Sequence, residues 1–307
     1  MYKLFDIPFI NKPLGWVLEF IANLMGGNFA VSIFLFTLLI NLALIPLSIK
    51  SQKSSVQQTR IKPKLDDLKK RYGNDKQKYS AAMQKLYQDE NVSMSGGCLP
   101  LILRLVLMMS IYWIIMSPLT YLVGVDKGVL ADAAAAFKEV FPKLHQSELN
   151  IIAEINNPAF TFKGIETVRE AITKIDFNFF GIDLTQKPVF SFDIFHDFKP
   201  IWFMPIIAFV SQLLTSLVSS KMQKKINPDA PSMTGMLLTM PLISLFIGFS
   251  LPGGVTFYWA CSSIIGGLIQ TAIQYFYGPH KMLAKERVKE LTKQADFEEG
   301  QIKKLGK

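Results

Sequence analysis

Five long apolar blocks constrain this chain more than any other feature. They cover residues 29–49, 97–122, 201–220, 234–251 and 255–277. Uninterrupted apolar runs of this kind are long enough to cross a bilayer, although the fourth is short. Hydrocarbon offers no partner to a backbone amide, so only helices and closed barrels span it. Blocks of about twenty residues without period-two alternation favour helices. The expectation is an all-α integral membrane protein with five transmembrane helices. Prolines at Pro46, Pro100, Pro118, Pro205 and Pro241 lie inside or near the ends of the blocks, which membrane helices tolerate when neighbours re-satisfy the backbone. Composition agrees: 50% of the 307 residues are hydrophobic, 19% are charged, and mean hydropathy is +0.27.

Charge between the blocks sets the expected orientation. Residues 50–91 hold eleven Lys/Arg against five Asp/Glu, 221–233 hold three against one, and 278–307 hold eight against five. On the alternate side, residues 1–28 hold two against two and 125–200 hold eight against eleven. Positive loops stay cytoplasmic. The N-terminus is therefore expected outside and the C-terminus inside, on the cytoplasmic face of the membrane. The net charge of +9 points to topology and anionic lipid before nucleic acid; no DNA partner is expected.

The pieces outside the blocks have their own signatures. Residues 1–28 form an external segment without the features of a cleaved signal. Within it, Pro13–Gly27 is too short to span. Glu19 and Asn23 share a face, which is read as opposite Trp16, Phe20 and Leu24. Two readings are open: a helix lying in the membrane interface, or a core helix packed on the bundle. Residues 50–96 read as a cytoplasmic helical hairpin. Ile61, Leu65, Leu68 and Tyr72 form one stripe, Tyr79, Met83 and Leu86 another, and Tyr72–Asp75 is the turn. Pro63 is expected to kink the first arm or begin its regular part. Residues 123–200 are an external loop with a helical insertion, 221–233 a cytoplasmic loop and 278–307 a basic cytoplasmic tail.

The polar residues inside the blocks share a depth. Asn41 lies nine residues before Lys50, Arg104 seven after Gly97, Gln212 nine before Lys221 and Gln270 eight before Gly278. At about 1.5 Å per residue, all four sit roughly 10–14 Å from the cytoplasmic ends. Thr239 joins them from the fourth block. The outer halves carry hydroxyls such as Ser32 and Ser263 but neither charge nor amide. A charge at the bilayer centre costs about 2.5–3.5 kcal/mol on insertion scales, so intramembrane ionisable groups usually face a wet cavity or bundle interior. The simplest arrangement is a pocket open inward and closed outward, lined by Asn41, Arg104, Gln212, Thr239 and Gln270. The competing reading has Arg104 snorkelling to the headgroups and the amides joining helices.

Several chemistries are excluded or disfavoured. No G-x-x-x-x-G-K-[ST] run occurs, so no P-loop nucleotide site is expected. His145, His196 and His280 are scattered and the two cysteines lie in different blocks. Neither a metal site, a disulfide framework, a cofactor nor a catalytic residue is expected.

Four stretches carry a family resemblance: Thr37–Ser54, Tyr72–Leu103 with its G-G-C-L-P run, Asn178–Pro188, and Leu251–Gln270 beginning L-P-G-G-V. Through them the chain resembles the YidC/Oxa/Alb family of membrane protein insertases, over most of 13–120 and 176–280. The resemblance implies five core spans, an inner-leaflet hydrophilic groove, a flexible cytoplasmic hairpin and no nucleotide hydrolysis. It implies nascent membrane proteins as clients, with the ribosome, the signal recognition particle receptor and the Sec translocon as candidate partners. Two departures stand out. The family's groove arginine belongs where this chain has Asn41, and the place of Arg104 is usually polar and uncharged. The positive charge is thus relocated across the groove. Residues 125–175 read as an insertion relative to compact Gram-positive members, which often begin as lipoproteins.

The function expected from this reading is insertion and folding of small membrane proteins. A wet, positive pocket shortens the hydrocarbon path of a hydrophilic segment. An acidic side chain in that segment gains about 2.3 kcal/mol per charge per 100 mV once across. The alternative is a small-solute transporter, which would usually show repeated halves and a midplane site; neither is visible. A structural scaffold is a third reading.

Overall fold

A computed structural model describes residues 7–93, 99–144, 147–188, 199–226 and 234–278, with parts of 281–299. The described residues are mostly helical. The chain divides into two compact units.

The first unit comprises Met1–Ala43, Arg104–Lys221 and Pro231–Gly267. Helix α1 (Pro8–Leu24) packs on α2 (Phe29–Ala43). Asn11, Gly15, Leu18, Ile21 and Ala22 of α1 are buried, while Phe9, Trp16, Phe20 and Leu24 are exposed. At 100° per residue, the face opposite the aromatic row is the packed one. Glu19 and Asn23 flank that row instead of opposing it, which corrects the sequence reading. The α1–α2 turn is tied to the far end of the external insertion. Asp176 donates its N–H to the Gly27 carbonyl and accepts from the Phe29 N–H, both at 2.9 Å. Gly27 has φ +82°, and a Cβ there would lie 2.0 Å from the Lys174 carbonyl oxygen, so only glycine fits. Asn28 then caps α2, its Oδ1 accepting from the Val31 N–H at 2.9 Å.

Helix α5 (Leu99–Met116) is followed by the short α6 (Pro118–Tyr121). The break falls at Ser117, φ −127°, because the following proline disfavours helical backbone before it. The insertion adds α7 (Lys127–Val140), α8 (Glu148–Glu154) and α9 (Ile165–Thr173). Asp126 caps α7 and Ser147 caps α8. Phe137, Phe141, Phe160 and Phe162 stack within this cap. A two-stranded antiparallel hairpin follows, β1 (Asn178–Phe179) with β2 (Ile182–Asp183). It is the one departure from all-α among the described residues.

Helix α10 (Phe203–Ile226) follows a 3-10 turn at Pro200–Trp202; α11 (Thr234–Gly248) and α12 (Gly253–Phe276) complete the set. The Gly254 N–H donates to the Leu184 carbonyl at 2.8 Å and the Gly253 N–H to Gln186 at 2.9 Å, so the loop after β2 holds the start of α12. Among the described helices, Pro200–Met222 is long and apolar enough to span a bilayer by itself, and Phe29–Ala43 with Ile45–Tyr72 qualifies as a broken pair. One hydrophobic cluster unites Leu18, Phe29, Ile33, Phe36, Ile114, Ile115, Leu119, Phe137, Leu149, Leu184, Trp202 and Val255.

The second unit comprises Leu44–Leu103, Met222–Ala230 and Leu268–Lys307. Helix α3 (Ile45–Tyr72) starts after a break at Leu44, with Pro46 in its first turn, where a missing N–H costs nothing. Its helical run continues through Pro63. Pro63 is exposed, so water is at hand for the carbonyl it leaves without a donor. Helix α4 (Lys76–Asp89) packs back on α3. Asp75 caps it, accepting from the Lys78 N–H at 3.0 Å, and those Lys78 hydrogen bonds hold the carboxyl below its usual range. At the hairpin's other end Glu90 accepts from Arg60 at 3.1 Å and also pairs with Lys64. The Lys64 hydrogen bond is the main reason that the Glu90 carboxyl titrates low.

Candidate polar groove

Burial along the helices is uneven in one direction. In α2 every buried side chain lies between Phe29 and Thr37; none follows. In α5, burial among the described side chains starts only at Ser110. In α10 the last buried side chain among those described is Ser211. Each helix is therefore packed at one end and loose at the other. The loose ends are those adjoining the basic segments that begin at Lys50, end near Gly97 and begin at Lys221.

The polar residues sit in or beside the loose ends. Thr37 is buried, and its hydroxyl donates to the Ile33 carbonyl at 2.6 Å. One turn later Asn41 is half-buried, and its amide donates to the Thr37 carbonyl at 2.8 Å. Its amide thus folds back on its own helix. Gln212 on α10 is half-buried, its Oε1 accepting from the Ser244 hydroxyl on α11 at 2.7 Å. This is a cross-helix bond of the type that joins helices in lipid. Thr215, one turn on, donates to the Ser211 carbonyl at 2.9 Å and lies 3.2 Å from the Ser263 carbonyl of α12. Gly267 makes that approach possible, because a Cβ there would fall 2.7 Å from Thr215 Oγ1. Thr239 is exposed on α11.

In the second unit Gln270 lies on α12 with its amide 3.4 Å from Gln52 Oε1 on α3. Gln274, one turn further, has a buried side-chain oxygen without a hydrogen-bond partner, as does Ser54 on α3. Arg104 belongs to α5, but its side chain lies outside the described residues. It is the one charged side chain in the five apolar blocks. Among the described residues no hydrogen bond joins Asn41, Gln212 and Gln270 to one another; each has found a different partner.

Sequence depth singled out the amides but missed their partners. Ser244 and Gln52 had no signal beyond being polar in or near apolar runs. Thr215 and Gly267 lie 52 residues apart, and nothing local joins them.

A family model described as 60Kd inner membrane protein matches residues 20–280. Over 300 residues, 96% of this chain and 79% of the relative, the chain is 25% identical to "Membrane protein insertase YidC 2" of Listeria innocua. A shorter stretch is 44% identical over 109 residues to "Membrane protein insertase YidC" of Saccharophagus degradans, and 40% identical over 108 residues to that of Alkalilimnicola ehrlichii. Those stretches are 36% and 35% of this chain but 19% of each relative's length. With a family match spanning most of its length, together with helices apolar enough for lipid, the chain belongs to the 60Kd inner membrane protein family.

Proposed function

We propose that the chain is a membrane protein insertase. In this reading it has five spans, with the N-terminus outside and the C-terminus in the cytoplasm. An inward-open polar groove accepts short hydrophilic segments of nascent membrane proteins, and no nucleotide is hydrolysed. Asn41, Arg104, Gln212, Thr239 and Gln270 belong to the groove lining. The observation that carries it is the one-sided burial of α2, α5 and α10. Apolar packing that stops at Thr37, Ser110 and Ser211 leaves the polar residues beyond in a loosely packed region, as a cavity open on one side requires. The names of the relatives in Listeria and Saccharophagus support the activity.

The mechanism needs no covalent step. Water in the groove shortens the hydrocarbon path of a translocating segment. Arg104 attracts an acidic side chain of that segment and lowers the cost of its entry. The membrane potential then favours its release outside by about 2.3 kcal/mol per charge per 100 mV. The segment's own apolar helix partitions into lipid. The cytoplasmic hairpin α3–α4 presents basic residues to the client, to anionic lipid or to the ribosome. The signal recognition particle receptor and Sec translocon are further candidate partners.

Depletion of the protein followed by quantitative proteomics of the membrane tests this reading. Loss of many unrelated short membrane proteins is expected, restored by wild-type protein. Loss of a single solute flux with an unchanged membrane proteome would make it a transporter instead.

A further inference from the structure

A cavity of about 420 Å³ lies in the first unit, outside the polar groove, and is lined by Lys12, Trp16, Glu19, Thr120, Lys127 and Glu148 among others. Its volume is in the range of about 300–1,000 Å³ typical of small-molecule sites. Two cations and two carboxylates share this lining, and among the described residues no ion pair joins Lys12 or Lys127 to Glu19 or Glu148. Four charges around one cavity that leave each other unneutralised suit a ligand that is itself a dipole. Glu148 is the most firmly placed. The Thr120 N–H donates to its Oε2 at 2.9 Å and the Thr120 hydroxyl to its Oε1 at 2.5 Å. A carboxylate has about four acceptor sites, so each oxygen keeps capacity for another donor. Burial pushes this carboxyl up to about 7, against the pull of the Thr120 bonds; a cationic donor in the cavity would offset that desolvation.

The surroundings indicate where the ligand comes from. Lys12, Trp16 and Glu19 belong to α1, whose outward row of Phe9, Trp16, Phe20 and Leu24 is exposed. Such a row on a helix beside membrane spans is what interfacial helices immerse in the headgroup region.

We propose that this cavity binds the headgroup of a phospholipid that carries both a phosphate and a primary ammonium, as phosphatidylethanolamine does. Lys12 and Lys127 take the phosphate, Glu148 and Glu19 take the ammonium, and Trp16 borders the glycerol region. An anionic headgroup such as phosphatidylglycerol offers the carboxylates neutral hydroxyl donors but no cation to offset their charge. A choline headgroup carries the charge without an N–H donor, leaving the Glu148 acceptors unfilled. The site rests on α1 lying in the interface and is independent of the groove and of the insertase activity.

Native mass spectrometry of the purified full chain, incubated with equimolar phosphatidylethanolamine, phosphatidylglycerol and phosphatidylcholine of identical acyl chains, tests it. Phosphatidylethanolamine should be retained about tenfold over either competitor, a ratio that selective pairing worth about 1.4 kcal/mol supplies. Glu148→Gln should bring phosphatidylethanolamine down to the choline lipid. Lys12→Gln with Lys127→Gln should lower both zwitterionic lipids together. Equal retention of the three lipids by the wild type, or an unchanged preference in Glu148→Gln, would overturn the proposal. Should a variant fail to fold, tryptophan fluorescence of the wild type titrated with dihexanoyl lipids decides. A saturable change with the ethanolamine lipid alone supports the site, and identical responses to all three refute it. Neither readout involves insertion, so a failed insertase reading and a failed lipid site are distinguishable.

Discussion

Gly267 of α12 faces Thr215 of α10 so closely that a Cβ on the glycine would lie 2.7 Å from the threonine hydroxyl and 2.8 Å from its methyl. Small residues at such crossings let helices approach in lipid, where packing replaces the hydrophobic effect. Gly267→Ala should cost about 1–3 kcal/mol by overpacking, and Gly267→Leu more. Thr215→Ala introduced into Gly267→Ala should recover part of the loss by making room. Thermal unfolding in detergent measures both. An unchanged melting temperature for Gly267→Leu would mean that the two helices do not pack as described.

Glu148 makes stability depend on pH with a sign that can be worked out. Its folded value, pushed up to about 7 by burial, lies above the value near 4.5 of an unfolded chain. The fold therefore favours the protonated form. The contribution is fully present below the unfolded value and is lost as pH rises through about 7. Lys12, Glu19 and Lys127 line the same cavity. In detergent free of phosphatidylethanolamine, the wild type should lose about 1–3 kcal/mol between about pH 5 and about pH 8 relative to Glu148→Gln. Parallel stability curves for the two proteins would show that burial does not disfavour the Glu148 charge.

The sequence made the apolar blocks and the shared depth of the polar residues legible because both depend on local spacing alone. Where helices stop was less legible. The 29–49 block breaks at Leu44 and the 97–122 block at Ser117, and in each case a nearby proline carried a signal that apolar length obscured. Helix α8 leaves little signal in the sequence, being only seven residues long and dependent on the Ser147 cap. The strap between Gly27 and Asp176 joins residues 149 apart, and such backbone pairing leaves no periodicity to read. The face of α1 was misread because helical angle separates Glu19 from the aromatic row by less than a half-turn. The partners of Gln212 and Gln270 could not be read, since a serine or glutamine in an apolar run does not reveal which helix lies opposite.

Groove accessibility follows from the one-sided burial. In a background with Cys98→Ser and Cys261→Ala, Asn41→Cys and Gln212→Cys should react with a membrane-impermeant thiol reagent from the cytoplasmic side alone. Phe34→Cys and Ile265→Cys, at the packed ends of α2 and the first-unit part of α12, should stay unreactive from that side. Labelling in inverted vesicles against intact cells separates the two sides. If positions 41 and 212 are as inert as position 34, the loose ends of the helices do not enclose water.

The central claim is that Arg104 supplies the positive charge of a groove that passes hydrophilic segments. It stands as the one charge within the five apolar blocks, and the family resemblance leads to the expectation that Asn41 stands where the family carries its arginine. An in vivo insertion assay with two matched clients, one with an acidic translocated tail and one with a neutral tail, tests it most directly. Arg104→Gln should slow the acidic-tailed client by about tenfold, the effect of losing about 1.4 kcal/mol of attraction, and the neutral one much less. Arg104→Lys should keep part of the activity, since attraction needs charge while bidentate pairing needs the guanidinium. Asn41→Arg added to Arg104→Gln should restore insertion. Equal rates for acidic and neutral tails in the Arg104→Gln strain would contradict the account.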